Sequence, residues 1–314
     1  MIVVTGGAGF IGSNLVNGLN RLGHDNIWVV DDLTDGTKFV NLADKQIADY
    51  SDKDDFISLI EMCDPRVDEI EVIFHQGACS DTTEWDGRFM MQNNFTYTCI
   101  LHDFCLEREI PFIYASSAAV YGGNESFSID PRNENPLNVY GYSKLLFDQV
   151  VRRTPAESQV AGLRYFNVYG PGEQHKGRMA SVAYHWREQA KRGENVKLFG
   201  EYNGFGAGEQ LRDFVYVEDV VAVNIWLWQN PQVSGVFNVG TGQATSYNEL
   251  ARAVLKHYPQ TDLEYVPFPN ELKGRYQSFT QADMTSLTEA GYTATFHNVN
   301  EGIDKYFSVE TNEV

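Results

Sequence analysis

The stretch VVTGGAGFIGS, residues 3–13, decides the fold because it joins an apolar strand to a helix through closely spaced glycines. Gly7, Gly9 and Gly12 form a G-x-G-x-x-G pattern, and Asp31 ends the next predicted strand. Such glycines permit a tight turn and a close approach of backbone to a pyrophosphate, while the helix N-terminus adds free N–H groups and a positive dipole. The stretch therefore predicts a dinucleotide-binding strand–helix unit, with a tight turn that binds nothing as the alternative.

Short apolar segments alternate with helical patterns through the first half of the chain. Strands are predicted at residues 2–4, 26–32, 72–78, 111–117 and 159–166, and helices at 10–23, 52–62 and 86–107. This alternation predicts an α/β protein with a Rossmann-type doubly wound parallel sheet and a smaller C-terminal α/β substrate-binding domain. We expect the dinucleotide-binding domain at 1–167 plus about 213–235, the substrate-binding domain at 168–212 plus about 236–314, and a mobile surface loop at 200–210.

The charge balance and apolar pattern restrict the partners of the chain. It has 24 Lys and Arg against 43 Asp and Glu, a formal net charge of -19. A field this negative disfavours nucleic acid and anionic membranes. No apolar run approaches the roughly 20 residues that span a bilayer, and no signal peptide is visible. We therefore expect a cytoplasmic protein with four reduced cysteines and no metal site.

Acidic and basic residues after the second strand bear on the choice of cofactor. Asp31 would accept hydrogen bonds from an adenosine ribose, which favours NAD, and Asp32 adds negative charge. Lys38 and Lys53 could instead pair with a 2′-phosphate and favour NADP. From the residues alone the choice stays open.

A second pattern, NVYGYSKLLFD, places Tyr140 and Lys144 four residues apart on one helix face. A tyrosine has a pKa near ~10, and we expect the Lys144 ammonium to lower the pKa of Tyr140 so that its phenolate can act as a base. Lys144 could also hold a nicotinamide ribose. Ser117 ends the strand FIYASS, where open α/β sheets place ligands, whereas Ser116 should face the opposite side.

The glycine loop, SSAAVYG (116–122), Tyr140-x-x-x-Lys144 and RYFNVYGP (164–171) together resemble the extended short-chain dehydrogenase/reductase family of nucleotide-sugar enzymes. The resemblance continues through RDFVYVEDV (212–220) and FNVGTG (237–242). It implies transfer of a hydride from a sugar carbon to a nicotinamide, usually with its return. Ala118 and Ala119 stand where dehydratases of this family carry an Asp-Glu pair, so 4,6-dehydration is not expected. Oxidation to an acid needs a nucleophilic cysteine, and Cys79 is expected to line the nicotinamide pocket instead.

Four longer stretches resemble the 6-epimerases of ADP-linked manno-heptose within that family: residues 31–50, 75–87, 173–185 and 267–284. This resemblance implies an ADP-heptose substrate of lipopolysaccharide synthesis and one tightly bound NADP per subunit. It also implies a homo-oligomer, with a pentamer suspected. Lys176, in HKGRM, would be the second acid/base opposite Tyr140, because inversion requires the hydride to return to the other face of a planar carbonyl. Binding of a phosphate is the alternative role for Lys176.

The resemblance and the motifs give two sets of candidate residues besides the catalytic Tyr140, Lys176, Ser117 and Lys144. The cofactor-binding set is Gly6, Gly9, Phe10, Ile11, Gly12, Asp31, Asp32, Lys38, Lys53, Gln76, Gly77, Ala78, Cys79, Ser80, Asn93, Tyr140, Lys144, Val168 and Lys176. The substrate-binding set is Ser117, Asn167, Arg178, His185, Phe199, Gly200, Glu201, Tyr202, Arg212, Arg275 and Tyr276. The alternatives are a UDP-hexose 4-epimerase, a GDP-sugar epimerase/reductase and a catalytically silent NADP-binding sensor.

Overall fold

A computed structural model describes residues 1–273 and 276–310 of the chain. The strands are β1 (Ile2–Thr5), β2 (Ile27–Asp31), β3 (Asp49–Asp52), β4 (Val72–His75), β5 (Phe112–Ser117), β6 (Val160–Tyr165), β7 (Asn167–Tyr169), β8 (Val196–Phe199), β9 (Leu211–Arg212), β10 (Phe214–Tyr216), β11 (Gly235–Val239), β12 (Thr245–Ser246) and β13 (Leu263–Val266). The helices are α1 (Phe10–Arg21), α2 (Lys53–Glu61), α3 (Gly87–Met91), α4 (Tyr97–Glu107), α5 (Val139–Arg153), α6 (Val182–Lys191), α7 (Val217–Gln229), α8 (Tyr247–Leu255), α9 (Thr285–Glu289) and α10 (Val299–Glu310).

Seven parallel strands form the central sheet, in the order β11-β6-β5-β4-β1-β2-β3. The chain winds from β1 through β2 to β3, then crosses back to β4 on the other side of β1. The loops after β1 and β4 therefore diverge in opposite directions and leave a crevice at the carboxyl edge, where such sheets bind ligands. The predicted Rossmann-type sheet is confirmed.

Apolar faces cover the sheet on both sides. On one side, α1 contributes Leu15, Val16 and Leu19 to a fully buried cluster with residues of α7. Gly18 lets these two helices approach closely, because an added Cβ would lie 2.5 Å from a Val221 methyl. On the other side, Trp28, Phe56, Leu101 and Phe147 belong to a second cluster. Burial of a large apolar side chain contributes about 1.5–3 kcal/mol, so both layers fix the sheet that carries the crevice.

Two features of the first half differ from the sequence-based expectation. Strand β3, of sequence DYSD, was not predicted, because it is a polar edge strand that is fixed mainly by backbone pairing with β2. The helix predicted at 86–107 is divided into α3 and α4 by a π-helical turn at Gln92–Thr96. Such turns are frequent at functional sites.

The C-terminal half adds three two-stranded pairs: β7 with β10, β9 with β12, and β8 with β13. Strand β11 returns to the central sheet and pairs with β6 from Gly235 to Val239, so this sheet extends past the boundary predicted near 235. The division into two domains remains a prediction.

Among the helices of the described ranges, none combines the length and the apolar character needed to cross a membrane.

Candidate active site

A cleft of about 900 Å³ opens at the carboxyl edge of the sheet, over β1, β4 and β5. Most of the predicted site residues share its lining. These are Gly6, Gly9, Phe10, Ile11, Gly12, Asp31, Lys38, Gln76, Gly77, Ala78, Cys79, Ser80, Ser117, Tyr140, Lys144, Asn167, Val168, Lys176 and Arg178. Residues from the glycine loop, the Tyr140 helix and the 174–179 segment thus face one space.

The glycine loop forms a cradle of exposed backbone at one end of the cleft. Gly6 has φ +66°, and a Cβ at Gly12 would lie 2.0 Å from the Gly6 carbonyl oxygen, so neither position accepts a larger residue without rearrangement. Helix α1 starts after Gly9 without a side-chain cap. Its first N–H groups are therefore free to bind an anion, which fits the pyrophosphate of a dinucleotide.

Asp31 lies at the end of β2 with both carboxylate oxygens engaged. One oxygen accepts the Ala8 N–H at 2.8 Å, and the other accepts the Asp32 N–H at 2.7 Å and the Lys38 ammonium at 2.5 Å. Asp31 was predicted to accept hydrogen bonds from a ribose, but here it orients the glycine loop and holds Lys38. The pair places the Lys38 cation beside Asp31, one of the two arrangements that the sequence left open. Asp32 turns away from the lining and accepts the Thr34 N–H, and this contact with Thr34 holds its pKa below the usual range.

The loop after β4 forms the opposite wall and is held by a residue that the sequence analysis missed. Asn94, in the π-helical turn, accepts the Cys79 N–H at 2.8 Å and donates to the Cys79 carbonyl at 2.9 Å. Asn93 was predicted to lie in the cofactor pocket, but it is outside the lining and donates to the Phe89 carbonyl within its own helix. Asn94 is buried and also lies outside the lining, so it holds the loop, while the cofactor contact of Asn93 stays a prediction.

Helix α5 carries Tyr140 and Lys144 on the face toward the cleft. Asn138 caps the helix by accepting the Gly141 N–H at 2.8 Å. Burial raises the pKa of Tyr140, and a hydrogen bond with Ser117 opposes the shift. The Lys144 ammonium donates to the Ala115 carbonyl at 2.9 Å, and burial lowers the pKa of Lys144 to about 8. Ser117 is thus the group that favours the phenolate here, and the expected effect of Lys144 on Tyr140 stays a prediction.

Lys176 lies across the cleft in the 3₁₀ segment Gln174–Met179, which is kinked at Gly177. Its ammonium sits 5.1 Å from the centre of the Phe10 ring, beside the glycine loop. Burial lowers the pKa of Lys176, while the nearby Glu173 carboxylate opposes that shift. The lowered pKa that base chemistry requires of a lysine is thus present.

Arg178 also lines the cleft, but its guanidinium pairs with Asp81 at 2.8 Å. Asp81 follows the β4 loop, so the ion pair connects the two walls at the mouth of the cleft. Hydrogen bonds from Thr83 and then Arg178 lower the pKa of Asp81 to about 2. The substrate contact predicted for Arg178 would require its guanidinium to leave this partner.

Several predicted substrate residues form a second group outside the lining. The Arg212 guanidinium stacks over the Tyr276 ring at 4.7 Å, and Tyr202 stacks on Phe268 at 3.9 Å. Phe199 contacts the same cluster, Gly200 pairs with Val266, and Glu201 is exposed. Tyr247 lines the cleft, and the centre of its ring lies 5.9 Å from the Arg212 guanidinium carbon, so it links Arg212 to the cleft. The sequence analysis did not identify Tyr247 or Phe268.

Two other predicted positions, Lys53 and His185, lie outside the lining of the cleft. Lys53 pairs with Asp54 at 3.1 Å, and His185 packs edge-on against Tyr184. Arg275 lies outside the described residues.

The sequence profile described as the NAD dependent epimerase/dehydratase family matches residues 2–240. The chain is 56% identical over 308 residues to an ADP-L-glycero-D-manno-heptose-6-epimerase of Alkalilimnicola ehrlichii, covering 98% of this chain and 96% of the relative.

Two solved structures share the fold over nearly their whole length. The Helicobacter pylori ADP-L-glycero-D-manno-heptose-6-epimerase superposes with a TM-score of 0.84 at 34% identity, covering 98% of this chain and 95% of the other. The Thermotoga maritima UDP-glucose 4-epimerase, solved with UDP-glucose, gives a TM-score of 0.80 at 29% identity over 99% of each chain.

Proposed function

Because the chain belongs to the NAD dependent epimerase/dehydratase family, we propose that it is an isomerase that converts ADP-D-glycero-D-manno-heptose to its L-glycero epimer at C6″. The observation that carries this proposal is the joint position of Tyr140 and Lys176 in one cleft beside the glycine loop. Two proton-transfer groups on different walls suit an inversion, in which the hydride leaves one face of the carbon and returns to the other.

The cofactor we propose is one tightly bound NADP per subunit. A nicotinamide cofactor fits the glycine cradle and the free end of α1, and the Asp31–Lys38 pair supports NADP over NAD. With Lys38 held at 2.5 Å from Asp31, the adenosine ribose end of the cleft has a cation for a 2′-phosphate. Such a cofactor supplies reversible removal and return of the C6″ hydride.

On the α5 wall, Tyr140 exchanges a proton with the reacting oxygen of the sugar. Its hydrogen bond with Ser117 orients the phenol and favours the phenolate. Lys144 is held at the Ala115 carbonyl, at the end of β5, where it can donate to ribose hydroxyls. Ser117 also ends β5, so it can share a hydrogen bond with the same sugar oxygen.

On the opposite wall, Lys176 exchanges the proton when the intermediate has turned its other face to the cofactor. Burial lowers the pKa of Lys176, which is the direction that a lysine acting as base as well as acid requires. The Tyr276–Arg212 group lies beyond Tyr247, and we propose that it contacts the ADP part of the substrate. Phe199, Gly200, Glu201, Tyr202 and His185 belong to the same proposed substrate domain. We also propose a cytoplasmic homo-oligomer, with a pentamer as the specific expectation.

The first experiment mixes purified protein, without added cofactor, with ADP-D-glycero-D-manno-heptose and follows the configuration at C6″ by proton NMR. We expect conversion to a mixture of both epimers, because retained cofactor is recycled in place. UDP-glucose serves as the parallel substrate. Absence of heptose conversion with NADP supplied would refute the proposal, and conversion of UDP-glucose instead would replace it with 4-epimerisation.

A further inference from the structure

Glu173 is a buried carboxylate with no part in the mechanism above. Its side chain has no exposed surface, and burial raises its pKa, with Lys176 opposing the shift. Burying a carboxylate is costly unless hydrogen bonds compensate it. The groups that donate hydrogen bonds to the Glu173 carboxylate all lie at the two ends of the loop that carries Lys176. The carboxylate therefore connects the ends of that loop.

The contacts of Glu173 close this loop, residues 170–181. Its Oε1 accepts the Gly170 N–H at 3.2 Å and the Ser181 hydroxyl at 2.7 Å, and its Oε2 accepts the Ser181 N–H at 2.6 Å. Ser181 in turn caps α6 by accepting the Tyr184 N–H. One carboxylate therefore joins both ends of the loop at the start of a helix.

The near half of the same loop is fastened to the glycine cradle. Asn41 donates to the carbonyls of Ala8 and Gly172, at 3.0 and 3.1 Å, and accepts from Gln174 at 2.6 Å. Asn14, on α1, donates to the Pro171 carbonyl at 2.8 Å. These hydrogen bonds hold the first half of the loop against the glycine cradle. The Glu173 carboxylate holds the two ends of the loop together.

We propose that Glu173 is a positioning residue that holds the Lys176 amine beside Phe10 by closing the 170–181 loop onto the start of α6. The Lys176 backbone N–H donates to the Glu173 carbonyl at 2.9 Å. The position of the Lys176 backbone therefore depends on the position of the Glu173 backbone. The two charges also act on each other, since each shifts the pKa of the other toward its charged form. This inference rests on the proposed function for the role of Lys176, but the placement of the amine can be tested without it.

The test compares Glu173→Gln with Glu194→Gln, a matched change at an exposed residue beyond the far end of α6. The amide retains the shape of the carboxylate but can no longer accept from all three donors. We expect Lys176 to become accessible, so that its acetylation by acetic anhydride at high pH, read by peptide mass spectrometry, is several-fold faster than in the parent. Glu194→Gln should label at the parental rate.

A kinetic arm uses each heptose epimer separately in a single turnover, with reduced nicotinamide followed by absorbance. Misplacing a proton-transfer group costs about tenfold or more in rate. In Glu173→Gln, reduction should slow at least tenfold from the epimer that Lys176 serves and stay near the parental rate from the epimer that Tyr140 serves. A merely structural defect would slow both.

The inference would be overturned if Lys176 in Glu173→Gln is labelled at the parental rate and nicotinamide reduction from the two epimers is not slowed unequally. If that variant does not fold, as judged by circular dichroism, Ser181→Ala is used instead. It removes the hydroxyl that donates to Glu173 Oε1 and caps α6, and it should show the same changes to a smaller extent; parental behaviour there overturns the inference equally. Should the parent fail to epimerise heptose, the kinetic arm reports failure of the proposed function, while the labelling arm still decides the role of Glu173.

Discussion

The two walls of the cleft present their proton-transfer groups in different ways. Tyr140 lies on α5, a helix of 15 residues with its own cap and a buried face. Lys176 lies on a short 3₁₀ segment kinked at Gly177, which has φ 51°, and side-chain contacts hold that segment in place. One wall is held by the backbone hydrogen bonds of a helix, whereas the other is held by side-chain tethers, from the distant Asn41 and from Glu173 in the same loop.

This difference indicates a division of labour. A group on a long helix keeps one position relative to the cofactor through every step. A group on a tethered loop can be adjusted during evolution without disturbing the sheet, because loops accept changes that core elements do not. The Tyr140 wall is therefore the part that suits the shared hydride chemistry, and the Lys176 wall is the part that suits the choice of carbon and substrate.

The largest expected effect is on the helical wall. Tyr140→Phe removes the phenol oxygen and leaves the ring, so turnover should fall by about 10⁴-fold, the upper range for a general acid/base. Bound cofactor, measured by absorbance after denaturation, should stay at the parental level because Lys144 and the glycine cradle are intact. Turnover within tenfold of the parent would show that this wall does not supply the base and would remove the distinction between the walls.

A smaller loss is expected on the tethered wall. Lys176→Met keeps the length of the side chain and removes its charge, and the epimerisation rate should fall by about 10²-fold, since water can replace a partly exposed acid/base. The protein should stay folded, because the hydrogen bonds of Asn41 and Glu173 do not use the amine, but the melting temperature should fall somewhat because the buried Glu173 loses its nearby positive charge. A variant that turns over near the parental rate but has a raised KM would make Lys176 a phosphate-binding residue, the alternative left open by the sequence.

The same contrast explains what the sequence could predict. The glycine loop, Tyr140 and Lys144 follow from short local patterns, and the structure brings them together as expected. Lys176 was found only through family resemblance, because its position depends on side chains more than a hundred residues away, such as Asn41. Local patterns carry no information about such tethers.

Other misses have equally physical causes. Strand β3 lacks an apolar pattern because it lies at the polar edge of the sheet. The hold of Asn94 on the β4 loop was missed because Asn94 lies in a π-helical turn that interrupts the helical pattern. The bond from Lys144 to the Ala115 carbonyl was missed because it joins α5 to β5, 29 residues earlier in the chain. Each outcome depends on a neighbour that is distant in sequence or on a break in helical periodicity.

The smallest effect is expected where the two walls meet, at the Asp81–Arg178 pair. The Arg178 side chain is 69% exposed, and exposed ion pairs contribute about 0–1 kcal/mol. If the pair only connects the walls, Arg178→Ala and Asp81→Asn should each raise the KM for ADP-heptose about threefold. The double variant should add nothing further, because either change alone removes the interaction.

A different pattern would return Arg178 to the role predicted from the sequence. If the guanidinium leaves Asp81 to bind the substrate diphosphate, Arg178→Ala should raise KM by tenfold or more, since hydrogen bonds to charged groups contribute about 1.5–3 kcal/mol. Asp81→Asn should then lower KM, because it frees the arginine. The two single variants would thus move KM in opposite directions, and the sign for Asp81→Asn decides whether the tethered wall takes part in substrate binding as well as in proton transfer.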